Sequence, residues 1–346
     1  MTAPAKLEVI AVGDLMLGDG IQQIRRGVRA AWAGKDAATL LAHLQPELSG
    51  AGITIGNLEC VLGAVDARDP QKMIYTGSPE HLAGLKAIGF THLALANNHI
   101  LEHGLPAAER TRQLVERAGM VACGGLSPVR SLVAGMAVDL FTYNLIHDTP
   151  HLEFYRDAVT GEDLAALRAS DADVKIVNIH WGEEYARYPS PSQIELGHQL
   201  VEHGACLVLG HHPHVTQGVE KYRDGLIAYS LGNFVFDMTW SERTRSAFIL
   251  KVELEPGRAR GFQKIPCRLD QAFVPRLASA ADENDKLDAE VLRFRGQPEA
   301  YRNYSRQNLS QSRWQAIFHL LRNFYAVDAK TWEILFGRRL KWLMAR

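Results

Sequence analysis

Short apolar runs of strand type recur through the first 270 or so residues, and five of them end in a carboxylate, a carboxamide or an imidazole. Residues 7–12 lead into Gly13-Asp14, residues 52–56 into Asn57-Leu58-Glu59, and residues 91–96 into Asn97-Asn98-His99. Residues 174–179 deliver His180, and residues 206–209 end in Gly210-His211-His212-Pro213-His214. Between them lie helical stretches. One spans 79–88, with Ser78 as N-cap and Gly89 beyond its end; another spans 106–118 and stops at Gly119. A third is opened by a capping box at Ser192-Gln193-Ile194-Glu195 and closed near Gly204. Residues 138–144 form a further strand, and Arg223-Asp224-Gly225 and Glu255-Pro256-Gly257 are hairpin turns. Alternating strands and helices predict an α/β domain with antiparallel strands added at its end.

Composition sets the outer limits. The chain has 346 residues, 47% hydrophobic and 22% charged, so it buries a sizeable core and is neither disordered nor fibrous. A formal net charge of −1 excludes a chain that binds nucleic acid by bulk electrostatics. No apolar run approaches the roughly 18 to 20 residues of a membrane span. Lys6 and Glu8 interrupt the N-terminus, so the expected location is cytoplasmic. Cys60, Cys123, Cys206 and Cys267 are widely scattered, and reduced, buried thiols are expected.

The length suits about two domains, or one large domain with an extension. We expect residues 1–275 to form the α/β domain and 276–346 a basic, aromatic helical extension. Residues 291–346 hold eleven Lys/Arg against three Asp/Glu. Trp314, Phe318, Leu321 and Tyr325 recur at helical spacing, followed by Trp332, Leu335, Phe336, Trp342 and Leu343. Such a stripe packs on the α/β core, or else lies at an anionic membrane surface.

The polar strand ends are the chemical signal. In an open α/β sheet, sites assemble at the C-terminal edge of the strands. Singly, Asp14 could be a turn residue, Asn98 an Asx-turn former and His180 a packed core histidine. Together with the 211–214 cluster they predict a metal site. Carboxylate, carboxamide oxygen and imidazole suit Zn or Mn better than Ca or Mg.

The segments Gly13-Asp14-Leu15-Met16-Leu17, Asn57-Leu58-Glu59, Asn97-Asn98-His99, His180-Trp181-Gly182-Glu183-Glu184-Tyr185, Gly210–His214 and Ser230-Leu231-Gly232-Asn233-Phe234 resemble the bacterial capsule-synthesis CapA family. That family is involved in poly-γ-glutamate production and belongs to the calcineurin-like metallophosphoesterase superfamily. The resemblance covers residues 7–240 and implies a four-layer α/β/β/α sandwich with a metal site at one edge. It implies Asp14, Asn57, Glu59, Asn98, His180, His212 and His214 as ligands of one or two divalent ions. His99, Glu59 and His211 stand as catalytic candidates, and Trp181, Glu183, Glu184 and Asn233 as substrate-binding ones. The chain departs from the superfamily in three places: Asp14-Leu15-Met16 lacks the histidine of Asp-x-His, Asn57-Leu58-Glu59 replaces the bridging aspartate, and Gly210 stands one residue too far from His212. Glu102 also stands where the capsule family usually has aspartate.

The resemblance implies a metal-dependent hydrolase of a phosphoester or acyl substrate, small-molecule or peptide, with His99 as acid. A second reading is a peptide Cα epimerase, as in relatives from lasso-peptide biosynthesis. A third is an assembly factor without catalysis.

Overall fold

The computed structural model describes residues 5–65, 69–146, 154–279, 281–322 and 331–332. Its strands, in chain order, begin with β1 (Leu7–Leu15), β2 (Ile53–Leu58), β3 (Val61–Leu62), β4 (Thr76–Gly77), β5 (His92–Ala94) and β6 (Val121–Cys123). There follow β7 (Val129–Val133), β8 (Met136–Asn144), β9 (Val174–His180), β10 (Leu207–His211), β11 (Val219–Tyr222) and β12 (Gly225–Ala228). The last are β13 (Asn233–Val235), β14 (Ser246–Glu255), β15 (Arg258–Leu269) and β16 (Pro275–Leu277). The helices are α1 (Val28–Trp32), α2 (Ala37–Leu41), α3 (Gln45–Leu48), α4 (His81–Ala87) and α5 (Leu105–Arg117), then α6 (Gly161–Ala169), α7 (Pro191–Glu202), α8 (Ala281–Ala289) and α9 (Pro298–Arg322).

Two sheets face each other. The larger runs β16-β15-β14-β1-β2-β5-β6, with β13 paired to the end of β1; the smaller runs β11-β12-β10-β9-β8-β7. Within them β1, β2, β5 and β6 are parallel, as are β8, β9, β10 and β12. The period-2 alternation of each strand feeds two cores at once. In β1, Leu7, Val9 and Ala11 enter the layer between the sheets, while Ile10 and Val12 enter the layer under α1 to α5. In β9, Val174 and Ile176 face the other sheet, whereas Val177 and Ile179 face α7. The result is the four-layer α/β/β/α sandwich expected from the resemblance. All four cysteines are buried and free.

A strand apolar on both faces does not set its own register by burial. For β1 the end does so. The strand continues through Gly13-Asp14 instead of stopping there, and Asp14 pairs with Asn57 of β2 and Asn233 of β13. Asp14 N donates to the Gly232 carbonyl at 2.9 Å. A Cβ on Gly13 would stand 1.8 Å from that oxygen, so only glycine allows the approach.

Two helix starts differ from expectation. The capping box of α7 is Ser190 with Gln193, not Ser192 with Glu195: Gln193 N donates to Ser190 Oγ at 3.1 Å and Ser190 N to Gln193 Oε1 at 2.9 Å. Proline at 191 decides this. It biases the residue before it to extended backbone, the N-cap conformation, and itself suits the first helical position. Helix α4 starts at His81, after a turn in which His81 N donates to the Ser78 carbonyl.

Helix α9 crosses the edge of the sandwich where the parallel strands end. Its Tyr301 and Tyr304 join Phe294, Ala186 and Tyr188 in a small cluster. Arg187 N donates to Tyr304 Oη at 2.9 Å, Arg243 donates to Asn308 Oδ1 at 3.4 Å, and Gln23 Nε2 meets His319 Nε2 at 3.3 Å. The buried positions Tyr301, Ser305, Ala316 and Leu320 make its inner face. The aromatic stripe read from the sequence is not that face. Trp314, Phe318 and Leu321 are 58%, 65% and 54% exposed, so packing on the core is corrected for these three. Tyr325, Leu335, Phe336, Trp342 and Leu343 lie outside the described residues. No helix among the described residues is long and apolar enough to cross a membrane.

Candidate metal centre

Parallel pairing brings the strand ends into one row in each sheet: Asp14 beside Asn57, and His180 beside His211. The sheets then meet face to face through side chains. Asp14 Oδ1 receives Asn57 Nδ2 at 2.8 Å and meets His211 Nδ1 at 3.1 Å. Asn57 Nδ2 also lies 3.3 Å from His180 Nδ1, and His180 Nε2 is 2.9 Å from Asn98 Oδ1.

Two groups of three ligand-type atoms result, each mutually within 4.8 Å: Asp14, Glu59 and His180, and Glu59, His212 and His214. Glu59 belongs to both. It follows β2 directly, and Glu59 Oε1 lies 3.7 Å from His180 Nε2 and 3.6 Å from His214 Nε2. Glu59, two residues beyond Asn57, thus lies between the two groups. Asn98 Oδ1 lies at hydrogen-bond distance from His180 Nε2, which brings the end of β5 to the same cluster.

The donor set fits a divalent cation. Asp14, Glu59, His180, His212 and His214 are all buried. His212 Nδ1 is buried without a hydrogen-bond partner. Burial holds His180 neutral and presses His212 down to about 3, so both offer a lone pair. Burial opposes ionisation of Asp14, but hydrogen bonds from His211 and His214 outweigh it and keep its carboxyl well below the usual range. Burial likewise disfavours the charge on His214, yet Glu59 and Asp14 raise it to about 10. Before any ion binds, that imidazolium is the counter-charge of two buried carboxylates, a task a divalent cation takes over. The backbone supports the cluster at a cost: His212 and His214 have φ of 96° and 56°, a region that costs a non-glycine residue about 1–3 kcal/mol.

Several candidates have their polar atoms engaged in hydrogen bonds within the cluster. Both ring nitrogens of His211 are engaged, Nδ1 by Asp14 and Nε2 by Asn178 Oδ1 at 3.0 Å, so it cannot also steady an attacking water. Asn57 donates from Nδ2 to Asp14, and its Oδ1 accepts from Asn97 Nδ2 at 3.2 Å. Asn233 is buried; its Oδ1 takes His214 Nδ1 at 3.0 Å and its Nδ2 donates to the Thr244 carbonyl at 2.9 Å. These bonds tie Asn233 to the His214 ring and fix that ring's orientation. Trp181 is a core residue whose indole N–H donates to the Tyr229 carbonyl at 2.9 Å. Glu183 is exposed and Glu184 half-buried on the loop after β9.

His99 stands at the mouth. Its Nε2 is 3.9 Å from Glu59 Oε1 and its Nδ1 3.6 Å from Glu102 Oε2. Tyr75 stacks on its ring at 3.7 Å. Sequence reasoning passed over Tyr75, Asn97 and Asn178. Tyr75 belongs to no motif; Asn97 opens the polar end Asn97-Asn98-His99, and Asn178 is a polar residue inside the run 174–179.

Two sheets with carboxylates and imidazoles gathered from both at one edge define an α/β protein with a candidate metal centre. A family model, bacterial capsule synthesis protein PGA_cap, matches residues 8–131 and 136–238, and the chain belongs to this family. It is 30% identical over 302 residues to the capsule biosynthesis protein CapA of Bacillus anthracis, covering 81% of this chain and 71% of that one. It is 26% identical over 286 residues to the PGA biosynthesis protein CapA of Bacillus subtilis (strain 168), covering 75% and 71%. Among solved structures, a novel phosphatase from Mycoplasma pneumoniae aligns with a TM-score of 0.49 and 13% identity, over 76% of this chain and 94% of that one.

Proposed function

We propose that the protein is a metal-dependent hydrolase of a phosphoester or acyl bond that serves the biosynthesis of a capsule-type polymer. The observation that carries the reading is Glu59, common to two ligand groups at one strand edge. Asp14, Asn98 and His180 would hold one divalent ion, Zn or Mn, His212 and His214 the other, and Glu59 both. Such ions polarise the scissile oxygen and bring the pKa of water toward neutrality. Asn57 and His211 fix Asp14, and Asn233 fixes His214, so the ligands are oriented before substrate arrives. His99, at the mouth between Glu59 and Glu102, protonates the leaving group. The same histidine flanked by carboxylates could return a proton to a peptide Cα, which keeps epimerisation as the second reading.

The test begins with elemental analysis of the purified chain, where we expect Zn or Mn and a loss of occupancy in Asp14→Ala and His212→Ala with the fold retained by circular dichroism. A panel of phosphoesters and acyl substrates should then be cleaved, with His99→Ala losing most of the rate. Solvent deuterium entering a peptide Cα without cleavage would promote the epimerase. Bound metal with neither activity would favour the assembly factor.

A further inference from the structure

Eight residues other than glycine have positive φ among the described residues, and four of them belong to the candidate metal centre or its mouth. Besides His212 and His214 these are Tyr75 and Tyr185, with φ of 53° and 63°. Ala134 and Arg223 sit in tight hairpin turns, where such backbone is ordinary. Tyr75 and Tyr185 serve no hairpin, and strain of this kind gathers at functional sites. The backbone of each is pinned to a segment that carries candidate ligands. Tyr185 N donates to the carbonyl of Pro213, between His212 and His214, at 2.8 Å. The Tyr75 carbonyl accepts from Val61 N at 3.0 Å, just beyond Glu59, and Tyr75 N donates to the Asp19 carbonyl at 2.9 Å. The two rings then flank the centre. Tyr75 stacks on His99 at 3.7 Å, and the Tyr185 ring lies 6.5 Å from that of His214 and 6.2 Å from that of Trp240. Neither hydroxyl makes a hydrogen bond with another described residue, and neither is shut off from solvent.

Burial, and then the charges of Glu102 and Glu184, hold the Tyr75 hydroxyl protonated well above the usual phenol range. Burial, and then Glu184, do the same for Tyr185, partly offset by Arg313. The charge of Glu59 bears on both hydroxyls, and that of Tyr75 on Tyr185, so the two face one space beside the shared carboxylate. We propose that Tyr75 and Tyr185 form a two-sided clamp whose hydroxyls donate to a tetrahedral oxyanion bound at the metal centre. That oxyanion is the phosphoryl group of a phosphoester or the tetrahedral form of an attacked acyl carbon. Neutral donors suit a place where divalent ions already supply the positive charge. Glu102 and Glu184 repel an anion, so it settles only against the centre itself. The proposal rests on the metal-dependent reading, but metal content and anion binding are measured separately.

The test is elemental analysis followed by calorimetric titration of the metal-bound, full-length chain with inorganic phosphate. Wild type should hold Zn or Mn and bind phosphate. Tyr75→Phe and Tyr185→Phe should each weaken that binding severalfold, and the double variant about tenfold or more, because donors to a charged acceptor are lost while both rings stay. Metal content and melting temperature should match wild type in all three. Tyr222→Phe, whose hydroxyl donates to Glu202 from the edge strand β11, should bind phosphate as wild type does. If metal is bound but phosphate is not, or the double variant binds phosphate as tightly as wild type, the clamp is wrong and the metal reading stands. Loss of metal from the double variant would make the tyrosines props of the ligands and equally refute the clamp. A wild type that holds no metal after soaking in Zn and Mn overturns both readings.

Discussion

Asn57 Nδ2 donates to Asp14 Oδ1 at 2.8 Å, between two residues that sit side by side on neighbouring parallel strands. The bond turns a general feature of parallel pairing into a specific device: one strand end aims the carboxylate of the next.

Asn57→Leu therefore removes no ligand but frees Asp14 to rotate. We expect metal affinity to fall by about 10- to 100-fold, the range for loss of an outer-shell partner. A chelator-competition titration reads it directly. Affinity equal to wild type would make Asn57 a packing residue only.

Gly13→Ala tests the register device of β1. A methyl placed 1.8 Å from the Gly232 carbonyl oxygen must push β13 away from β1, carrying Asn233 and through it His214. We expect a loss of about 1–3 kcal/mol or more, as for other overpacked sites, seen as a melting temperature several degrees lower. Metal affinity should fall with it.

A buried acid pair makes stability depend on pH. Asp19 and Asp237 converge at Gly27, where a Cβ would stand 2.8 Å from Asp19 Oδ1 and 2.2 Å from Asp237 Oδ2. Burial raises Asp237 to about 7, and burial, partly offset by backbone hydrogen bonds from Ala30 and Arg25, raises Asp19 to about 6. The folded state thus holds protons that the unfolded chain, with carboxyls near 3.8, has released. Stability from this pair is fully present below about pH 4 and declines as pH rises to about 7. Asp237→Asn should flatten that decline and melt higher than wild type at pH 8. Parallel pH profiles of the two proteins would refute the assignment.

Replacing Trp314, Phe318 and Leu321 with serine should leave the melting temperature within a degree or two, because exposed substitutions change stability by only about 0.5 kcal/mol each. Flotation with phosphatidylglycerol vesicles checks the other role of the stripe. Wild type should float, drawn by the exposed rings and nearby Arg313 and Arg322, and the variant should not. A stability loss of the size for buried aromatics, about 3–5 kcal/mol, would place the stripe against other parts of the chain.

The layered fold and the edge that carries the site were legible from the sequence, for a local reason. Apolar runs with period-2 burial and helices with periodic faces are written in consecutive residues, and Asp14, Glu59, Asn98, His180, His212 and His214 are read off as the residues where such runs end. Which of those polar residues face one another was not legible. Asn57 and Glu59 are two apart and equally polar; only the ending of β2 puts one against Asp14 and the other between His180 and His214. His211, His212 and His214 are alike as residues, and the turn that gives the last two positive φ sends His211 to Asn178 and the others toward Glu59. Periodicity likewise found the stripe on α9 but not the side of the helix that is covered, since Tyr301 buries itself against Ala186 and Tyr188 of a loop far away in the chain. Element type follows from neighbours in sequence, whereas the aim of a side chain follows from strand register, backbone strain and contacts between the sheets, which exist only once the chain has folded.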